Sequence, residues 1–445
     1  MSSPLLAHLG VRCKRLRILS RFSLVLSLLA VGAATAAPPQ PLTLGQAQQQ
    51  AVTRSRQLNA QEHAIAGARD MAIAAGQLPD PVLKAGIDNL PVSTSDRFSL
   101  TKDFMTMRRI GISQELTRAD KRKSRSARYE SEAQKSEAQK DVIVASIQRD
   151  TAIAWLERYY IEQMAALISV QTNQARQEIE AATAAYRGGR GTQADILAAR
   201  SALLLLGDQA SEIDRRLQVS QTMLTRWTGA DGNFVLAGRP DIDNIRLDAA
   251  TLDTALAHHP KITVLNRQEQ VARAEANLAR TNQRADWSVE VAFQQRGSAY
   301  SNMVSIGVSV PLQWDRKNRQ DRELGAKLAM VEQTTAERDE MLREHVAETR
   351  ALIAQWKSGQ ERIARYTSEL IPLSGERTQA VLVGYRGGKA TLTEVLSARR
   401  NETEFRMQAV ELQLDTSRLW AQLNFLFPDG ASVQHATTSN PKDSK

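Results

Sequence analysis

Residues that could bind a metal ion or perform catalysis are sparse in this 445-residue chain, and none shows a catalytic spacing. The usual sequence signals of a zinc site are HExxH on a helix or a set of CxxC pairs, and neither motif occurs. A glycine-rich phosphate loop and a serine nucleophile elbow are also missing. We therefore expect no enzymatic activity, no cofactor and no metal site.

The histidines and methionines of the chain do not require a metal site to explain them. His258 and His259 stand side by side near a predicted helix start, and we expect a solvated pair rather than a metal site. His63 and His345 are isolated in the sequence. Met105 and Met107 are of a type that binds copper, but such residues more often pack at the end of a loop or strand, and packing is the favoured interpretation.

One stretch occurs twice, as AYRGGRGTQADILAAR at 185–200 and as GYRGGKATLTEVLSAR at 384–399. In both copies, consecutive glycines follow a helix-forming segment and supply the geometry of a helix C-terminus and a turn. Thr192 with Asp195, and Thr391 with Glu394, have the spacing of a capping box at the start of a returning helix. Each copy is therefore predicted to be the tip of a helical hairpin.

Very long helices are predicted to carry these tips. The segment 120–186 has no glycine or proline and is rich in strong helix formers. It therefore predicts one helix of roughly 100 Å. Such a helix must lie against other helices to bury its apolar stripe. The segment 319–384 has similar length, and Pro372 predicts a kink near its end. Shorter helices are predicted at 44–76, 194–226, 252–284 and 392–425.

Two windows in the second half alternate apolar and polar residues strictly, DWSVEVAFQQ at 286–295 and MVSIGVSVPLQW at 303–314. Period two over about ten residues, with aromatics at the rims, is typical of transmembrane β-strands. A hairpin of these strands would place Trp287 and Trp314 at the same membrane interface. The first half has a weaker copy, so that strand pairs are predicted within about 82–116 and 286–314. The alternative is a soluble hairpin with one buried face.

The N-terminus predicts export. Residues 1–36 contain a basic start, an apolar run over 22–34 that is short for a bilayer span, and an A-x-A cleavage site. Together these features are typical of a signal peptide. The alternative is a membrane anchor that is retained in the mature protein. Cys13, the one cysteine, precedes the apolar run, so we expect no lipid anchor. Five cations of the net +9 lie in this leader. The rest is mildly basic and has no basic stripe interleaved with aromatics, which argues against nucleic-acid binding.

In its order of parts (helix, strand pair, long helix, Tyr-x-x-Gly tip, return helix, and then all of these again) the chain resembles the TolC-like outer-membrane efflux channels. The expected organisation is a signal peptide (1–36), a first repeat (37–229), a linker (230–250), a second repeat (251–428) and a disordered tail (429–445). The fold class is an α+β membrane protein with four transmembrane strands and long periplasmic helices. The resemblance implies a homotrimer whose strands form a 12-stranded barrel in outer-membrane lipid, continued by a helical tunnel. It also implies two partners, a periplasmic adaptor and an inner-membrane pump.

Residues 76–92 and 96–116 resemble the heavy-metal branch of that family, whose pumps are of the resistance-nodulation-division (RND) type. The expected function is a passive outer-membrane duct that exports heavy-metal cations, with a long periplasmic extension. Two alternatives stay open. One is a duct for drugs, other organic compounds or type I protein secretion, and the other is a periplasmic coiled-coil scaffold without a pore.

The resemblance also suggests site residues. Tunnel-mouth candidates are Tyr186, Asp195, Tyr385 and Glu394. Glu394 matches an acidic family position, whereas a second such position holds Ser397, which weakens a cation gate. The tips lie farthest from the strands, and their adaptor-docking candidates are Gly188, Gly189, Arg190, Gly191, Gly387, Gly388 and Lys389. The membrane-interface anchors are Trp287 and Trp314.

Overall fold

The computed structural model describes residues 41–230, 234–248 and 251–429. The predicted signal peptide lies outside the described residues, as does the predicted tail beyond Asp429. The described helices and strands run in the order α1 (Leu44–Arg54), α2 (Arg56–Ala75), β1 (Val82–Asp88), β2 (Met107–Leu116), α3 (Ala119–Arg187), α4 (Gln193–Thr228), α5 (Leu252–Ala257), α6 (Pro260–Asn282), β3 (Trp287–Gln295), β4 (Met303–Ser309), α7 (Gln320–Arg365), a π-helical turn (Tyr366–Leu370), α8 (Ile371–Arg386) and α9 (Leu392–Asn424).

The predicted first long helix is confirmed as α3, an uninterrupted helix of 69 residues. It packs against α1, α2, α4, α6 and α9. The main core lies at its middle, where Trp155, Leu156 and Met164 are fully buried. The indole Nε1 of Trp155 donates to the carbonyl of Leu42 at 3.0 Å, which fixes the chain before α1 onto this core. None of the described helices combines the length and apolar character needed to cross a membrane.

Two predicted single helices are in fact pairs. The segment 44–76 is divided at Ser55, which is extended (ψ 113°) and whose hydroxyl caps α2 by accepting from the Leu58 N–H at 3.2 Å. The segment 252–284 is divided at His258 and His259, because Pro260 has no N–H to continue α5 and instead occupies the first turn of α6. The predicted helices 194–226 and 392–425 are confirmed as α4 and α9.

The second long helix contains an irregularity at the place where the kink was predicted. Between α7 and α8, residues Tyr366–Leu370 form one π-helical turn, and the N–H of Ile371 donates to the carbonyl of Tyr366. Pro372 follows at once and cannot donate to the carbonyl four residues earlier. The wider turn is the local rearrangement that carries the helix past this proline. The equivalent part of α3 is regular.

The four strands form one antiparallel sheet in the order β1-β2-β3-β4. The two predicted hairpins are therefore confirmed, and β2 joins them by pairing with β3. The last strand is shorter than predicted, because it ends at Ser309 rather than at Trp314. Pro311 explains the early end, since it has no N–H for the sheet ladder. Trp314 lies beyond the strand, before α7, and is 88% exposed.

Candidate functional site

The two faces of the sheet differ sharply in chemistry. Because partners in the ladder share a face, each row of paired residues crosses all four strands. Leu83, Ile112, Val291 and Ile306 form one apolar row, and a second contains Ala85, Ile110, Phe293 and Val304. The large residues of these rows are 44–74% exposed, so the predicted alternation is confirmed, but this face has no cover from the described part of the chain. An exposed apolar surface of this kind marks a contact with membrane or protein.

The opposite, polar face carries an ion-pair ladder centred on Glu290. Its carboxylate accepts from Lys84 Nζ at 2.6 Å and from a guanidinium nitrogen of Arg109, so that it links β3 to both strands of the first hairpin. Arg109 also lies 3.9 Å from the carboxylate of Asp88. These four side chains carry two positive and two negative charges. The face is therefore strongly polar but locally neutral.

The sequence did not predict this ladder. The period-two pattern indicated which residues share a face, but Lys84, Arg109 and Glu290 meet only through the pairing of β2 with β3. That pairing joins segments far apart in the chain, and no local signal specifies its register. The two rim tryptophans lie at the helical end of the sheet. Trp287 is the first residue of β3 and is 54% exposed, and Trp314 is in the connection to α7.

The two predicted tips, 186–192 and 385–391, have the same backbone. At the first tip, Gly188 N–H donates to Ala184 O at 3.0 Å, Gly189 N–H to Tyr186 O at 3.0 Å and Arg190 N–H to Ala185 O at 2.9 Å. At the second tip the corresponding bonds join Gly387 to Val383 (3.0 Å), Gly388 to Tyr385 (3.0 Å) and Lys389 to Gly384 (2.8 Å). Gly189 and Gly388 have φ of 71° and 72°, in the left-handed region where glycine is favoured.

Both predicted capping boxes are present. Thr192 and Asp195 bond reciprocally at the start of α4, and Thr391 and Glu394 do so at the start of α9. The Glu394 carboxylate accepts from the Thr391 N–H at 2.7 Å and from its hydroxyl at 3.1 Å. These bonds, the backbone one first, hold the pKa of Glu394 below its usual value. Each acid thus caps its own helix. Tyr186 is 49% exposed, and Tyr385 is half-buried.

The tips differ in one reciprocal pair of residues. The first has Ala185 on the incoming helix and Gly191 on the return, whereas the second has Gly384 and Ala390 at the matching places. A β-carbon built on Gly191 would lie 3.2 Å from the Ala185 β-carbon, and one on Gly384 would lie 3.3 Å from that of Ala390. Each turn therefore holds one methyl group, and a second would require its neighbours to shift by a few tenths of an ångström.

Near the tips an ion pair links the two hairpins. Arg399 Nε on α9 lies 2.7 Å from Glu178 Oε1 on α3, and Arg399 Nη1 donates to Gln174 Oε1 at 3.2 Å. Burial raises the pKa of Glu178, and the neighbouring Arg399 guanidinium opposes that shift. This pair was not predictable from the sequence, since its members belong to different repeats of the predicted organisation.

The expectation for His259 was wrong. His259 is not solvated but 4% exposed, and its ring contacts the ring of His345, with centroids 4.2 Å apart and the planes tilted by 56°. His259 is the N-cap of α6, which the sequence did not indicate. Within the described ranges no three His, Cys, Asp or Glu side chains are grouped so as to hold a metal ion. His258 is exposed, as expected.

No family model matches the sequence. Solved structures with a similar fold include the outer-membrane channel OprN, with a TM-score of 0.72, 15% identity, and coverage of 86% of this chain and 90% of OprN. Another is the outer membrane protein VceC from Vibrio cholerae, with a TM-score of 0.69, 17% identity, and coverage of 86% and 95%. The resemblance to the TolC-like outer-membrane channels is thereby confirmed, and at these identities it is a resemblance of fold.

One curated relative is a metal-resistance protein. The cobalt-zinc-cadmium resistance protein CzcC of Cupriavidus metallidurans is 25% identical over 207 residues. The match covers 45% of this chain, and the chain spans about half (48%) of CzcC. This similarity favours the heavy-metal branch that residues 76–116 suggested.

Proposed function

We propose that this protein is the outer-membrane channel of a tripartite efflux system and exports heavy-metal cations as a passive duct. The observation that carries the proposal is the sheet, which has an exposed apolar face of aliphatic and aromatic rows and a polar face with a neutralised ion-pair ladder. In a barrel wall the apolar face would contact lipid and the polar face would line water. The pump would supply the energy, and the channel would supply a polar path without chemistry of its own.

The sheet would have to be completed by other copies. Four strands are too few to close a barrel, since about eight form the smallest one, and open strand edges are not tolerated in lipid. β1 and β4 each have one partner strand among the described residues. An even number of antiparallel strands ends with β4 running opposite to β1, so β4 of one copy can pair antiparallel with β1 of the next. Three copies would give the 12 strands that the family resemblance implies.

The tips would form the opposite end of this assembly. α3 has 69 residues, so at 1.5 Å per residue the first tip lies roughly 100 Å along the helix from the sheet. We assign adaptor docking to the glycine-rich backbone of both tips, because a partner backbone can approach closely there. Arg190 and Lys389 would attract an acidic or carbonyl-rich partner. Asp195 and Glu394, with Tyr186 and Tyr385, are the candidates for the tunnel mouth, and Trp287 and Trp314 for the membrane interface.

The similarity to CzcC supports this substrate class, and metal resistance tests it. Deleting the gene in its native host should lower tolerance to cobalt, zinc and cadmium salts, and re-expression should restore it. Tolerance to dyes and detergents is the internal comparison: if that tolerance falls while metal tolerance does not, the protein is a duct for organic compounds. Carbonate washing of membranes distinguishes a duct for metals or organic compounds from a pore-free scaffold, because only a scaffold would be released.

A further inference from the structure

The buried histidine pair lies where four parts of the chain meet. His259 belongs to the turn between α5 and α6, and His345 lies within α7. The ring of Phe427, in the segment 425–429 that follows α9, meets His259 edge to face with centroids 5.5 Å apart. His259 and His345 are 4% and 8% exposed. The pair therefore joins α5, α6 and α7 to the C-terminal segment of the described chain.

The hydrogen bonds of His259 fit an uncharged ring. Its Nδ1 accepts from the Lys261 N–H at 3.2 Å, so this nitrogen carries no proton. The backbone of Leu426 favours the protonated ring, but burial outweighs this effect. Nδ1 is thus occupied by the cap of α6. The acceptor bond at Nδ1 would be lost if that nitrogen were protonated.

His345 is held less completely. Its Nε2 is buried and has no hydrogen-bond partner in the described chain. Its Nδ1 is 3.9 Å from a carboxylate oxygen of Glu348, too far for a hydrogen bond, and that carboxylate is exposed. A charged His345 would be drawn toward Glu348 and away from His259. The tilted contact with His259 and an ion pair with Glu348 therefore compete for this ring.

The charges around the pair come from each packed helix. Lys261 on α6 opposes protonation of both rings, whereas Glu344 and Glu348 on α7 favour it for His345. An ion pair between Asp253 of α5 and Arg350 of α7, at 2.8 Å, lies across the same contact. His258 bonds the carbonyl of Thr254 through Nδ1 at 3.0 Å. In the C-terminal segment, Asp429 is paired with Arg246.

We propose that His259 and His345 form an acid-sensitive clasp that holds the segment 425–429 and the α5–α6 turn against α7, and that releases both when the rings are protonated. Burial, the facing imidazole and Lys261 lower the pKa of His259 to about 3, and burial lowers the pKa of His345. Both pKa values lie below that of a free histidine, about 6.5, so the open form binds protons more tightly. The closed form is fully stable above about pH 6.5 and loses stability as the pH falls below it.

The test measures exposure of the C-terminal segment in the full-length protein. Chymotrypsin cleavage after Phe425 is followed between pH 7.5 and 5, with each rate divided by the rate on unfolded casein at the same pH; the Phe427–Pro428 bond is resistant because proline follows it. One group titrating with a lowered pKa makes opening roughly tenfold more frequent per pH unit. We expect at least this slope below about pH 6.5 for the wild type. A rate that does not change with pH would overturn the clasp.

Matched variants test whether His259 and His345 cause the pH dependence of the cleavage rate. H345F keeps an aromatic ring against His259 but does not titrate, so it should reduce the slope. Adding H259N keeps a side-chain acceptor at the helix cap and should abolish the slope. H258F, at the exposed neighbour, should leave it unchanged. A wild-type slope in the double variant, or loss of slope in H258F, refutes the proposal.

A second measurement uses only the wild-type protein, so it tests the proposal even if the variants fail to fold. Exchange of the imidazole C2 hydrogens in the wild-type protein, resolved by mass spectrometry, reports the pKa of each histidine. We expect His259 and His345 to titrate below the pKa of a free histidine, about 6.5. If both titrate near pH 6.5, the pair is not held neutral by the fold and the clasp does not exist.

Discussion

At the scale of residues, neighbouring positions of one strand lie on opposite faces of the sheet and therefore tolerate different side chains. Val308 on β4 is 59% exposed and pairs with Val289 on the apolar face. Gly307, one residue earlier, pairs with Glu290 on the polar face, and a β-carbon there would meet no atom within 4 Å. The same substitution at these two sites therefore tests the orientation of the sheet.

We predict that Val308→Arg blocks membrane assembly and that Gly307→Arg does not. An arginine on the lipid-facing side costs about 2–4 kcal/mol near the bilayer midplane, whereas an arginine at 307 would face the Glu290 carboxylate in water. The measurement is the amount of heat-modifiable oligomer in outer-membrane fractions. Equal insertion of the two variants would show that the apolar face does not contact lipid.

At the scale of elements, the tips combine a shared backbone with a reciprocal alanine and glycine. We predict that Gly191→Ala loosens the first tip, because its new β-carbon would lie 3.2 Å from that of Ala185. Adding Ala185→Gly should remove this contact and leave only the 3.2 Å contact with the Tyr186 backbone nitrogen. In a double-mutant cycle the pair should show a favourable coupling of about 1 kcal/mol. The measurement is the rate of trypsin cleavage at Arg187 and Arg190, and strictly additive effects would disprove steric coupling.

Docking and turn formation can be separated at each tip, because neighbouring glycines differ in backbone conformation. Gly188 and Gly387 have φ of −81° and −83°, so a side chain is compatible with the backbone there. We predict that Gly188→Trp and Gly387→Trp leave oligomer levels normal but abolish cross-linking to the adaptor and metal resistance. Gly189→Ala, at φ 71°, should instead lower protein levels. Normal resistance in both tryptophan variants would contradict docking at the tips.

The elements that the sequence predicted well are those with a local cause. The glycines and capping threonines of the tips act within a few residues, and the alternation of 286–295 and 303–309 reflects the strand itself. The strand end at Ser309 was missed because the apolar alternation continues past Pro311. The contacts of Glu290 with Lys84 and Arg109, and of His259 with His345, were not predictable. They depend on how distant segments are placed together, and single side chains of these types carry no signal of their partners.

At the scale of the whole molecule, the edges of β1 and β4 that no described strand covers predict how copies join. The one cysteine, Cys13, lies in the predicted signal peptide, so introduced cysteines can report the contact. Ala85→Cys on β1 combined in turn with Val304→Cys, Ile306→Cys or Val308→Cys on β4 should yield disulfide-linked oligomers, since all lie on the apolar face. Bridging requires Cα atoms about 4.4–6.8 Å apart, so only the pair in register should link efficiently.

The control combines Ala85→Cys with Gly307→Cys, which lies on the opposite face and should not link. On a denaturing gel the linked series should stop at three chains. Monomer alone in every combination would exclude pairing of β4 with β1, and a series that continues past three would exclude a closed trimer.

The reciprocal residues of the tips also restrict how one turn can change into the other through single substitutions. The form with alanine at both positions would bring two methyl groups to within about 3.2 Å of each other. The form with glycine at both has no such conflict and loses only helix propensity. The double-glycine form is therefore the less crowded intermediate between the two turns. The path through it removes the resident methyl group before the other is gained.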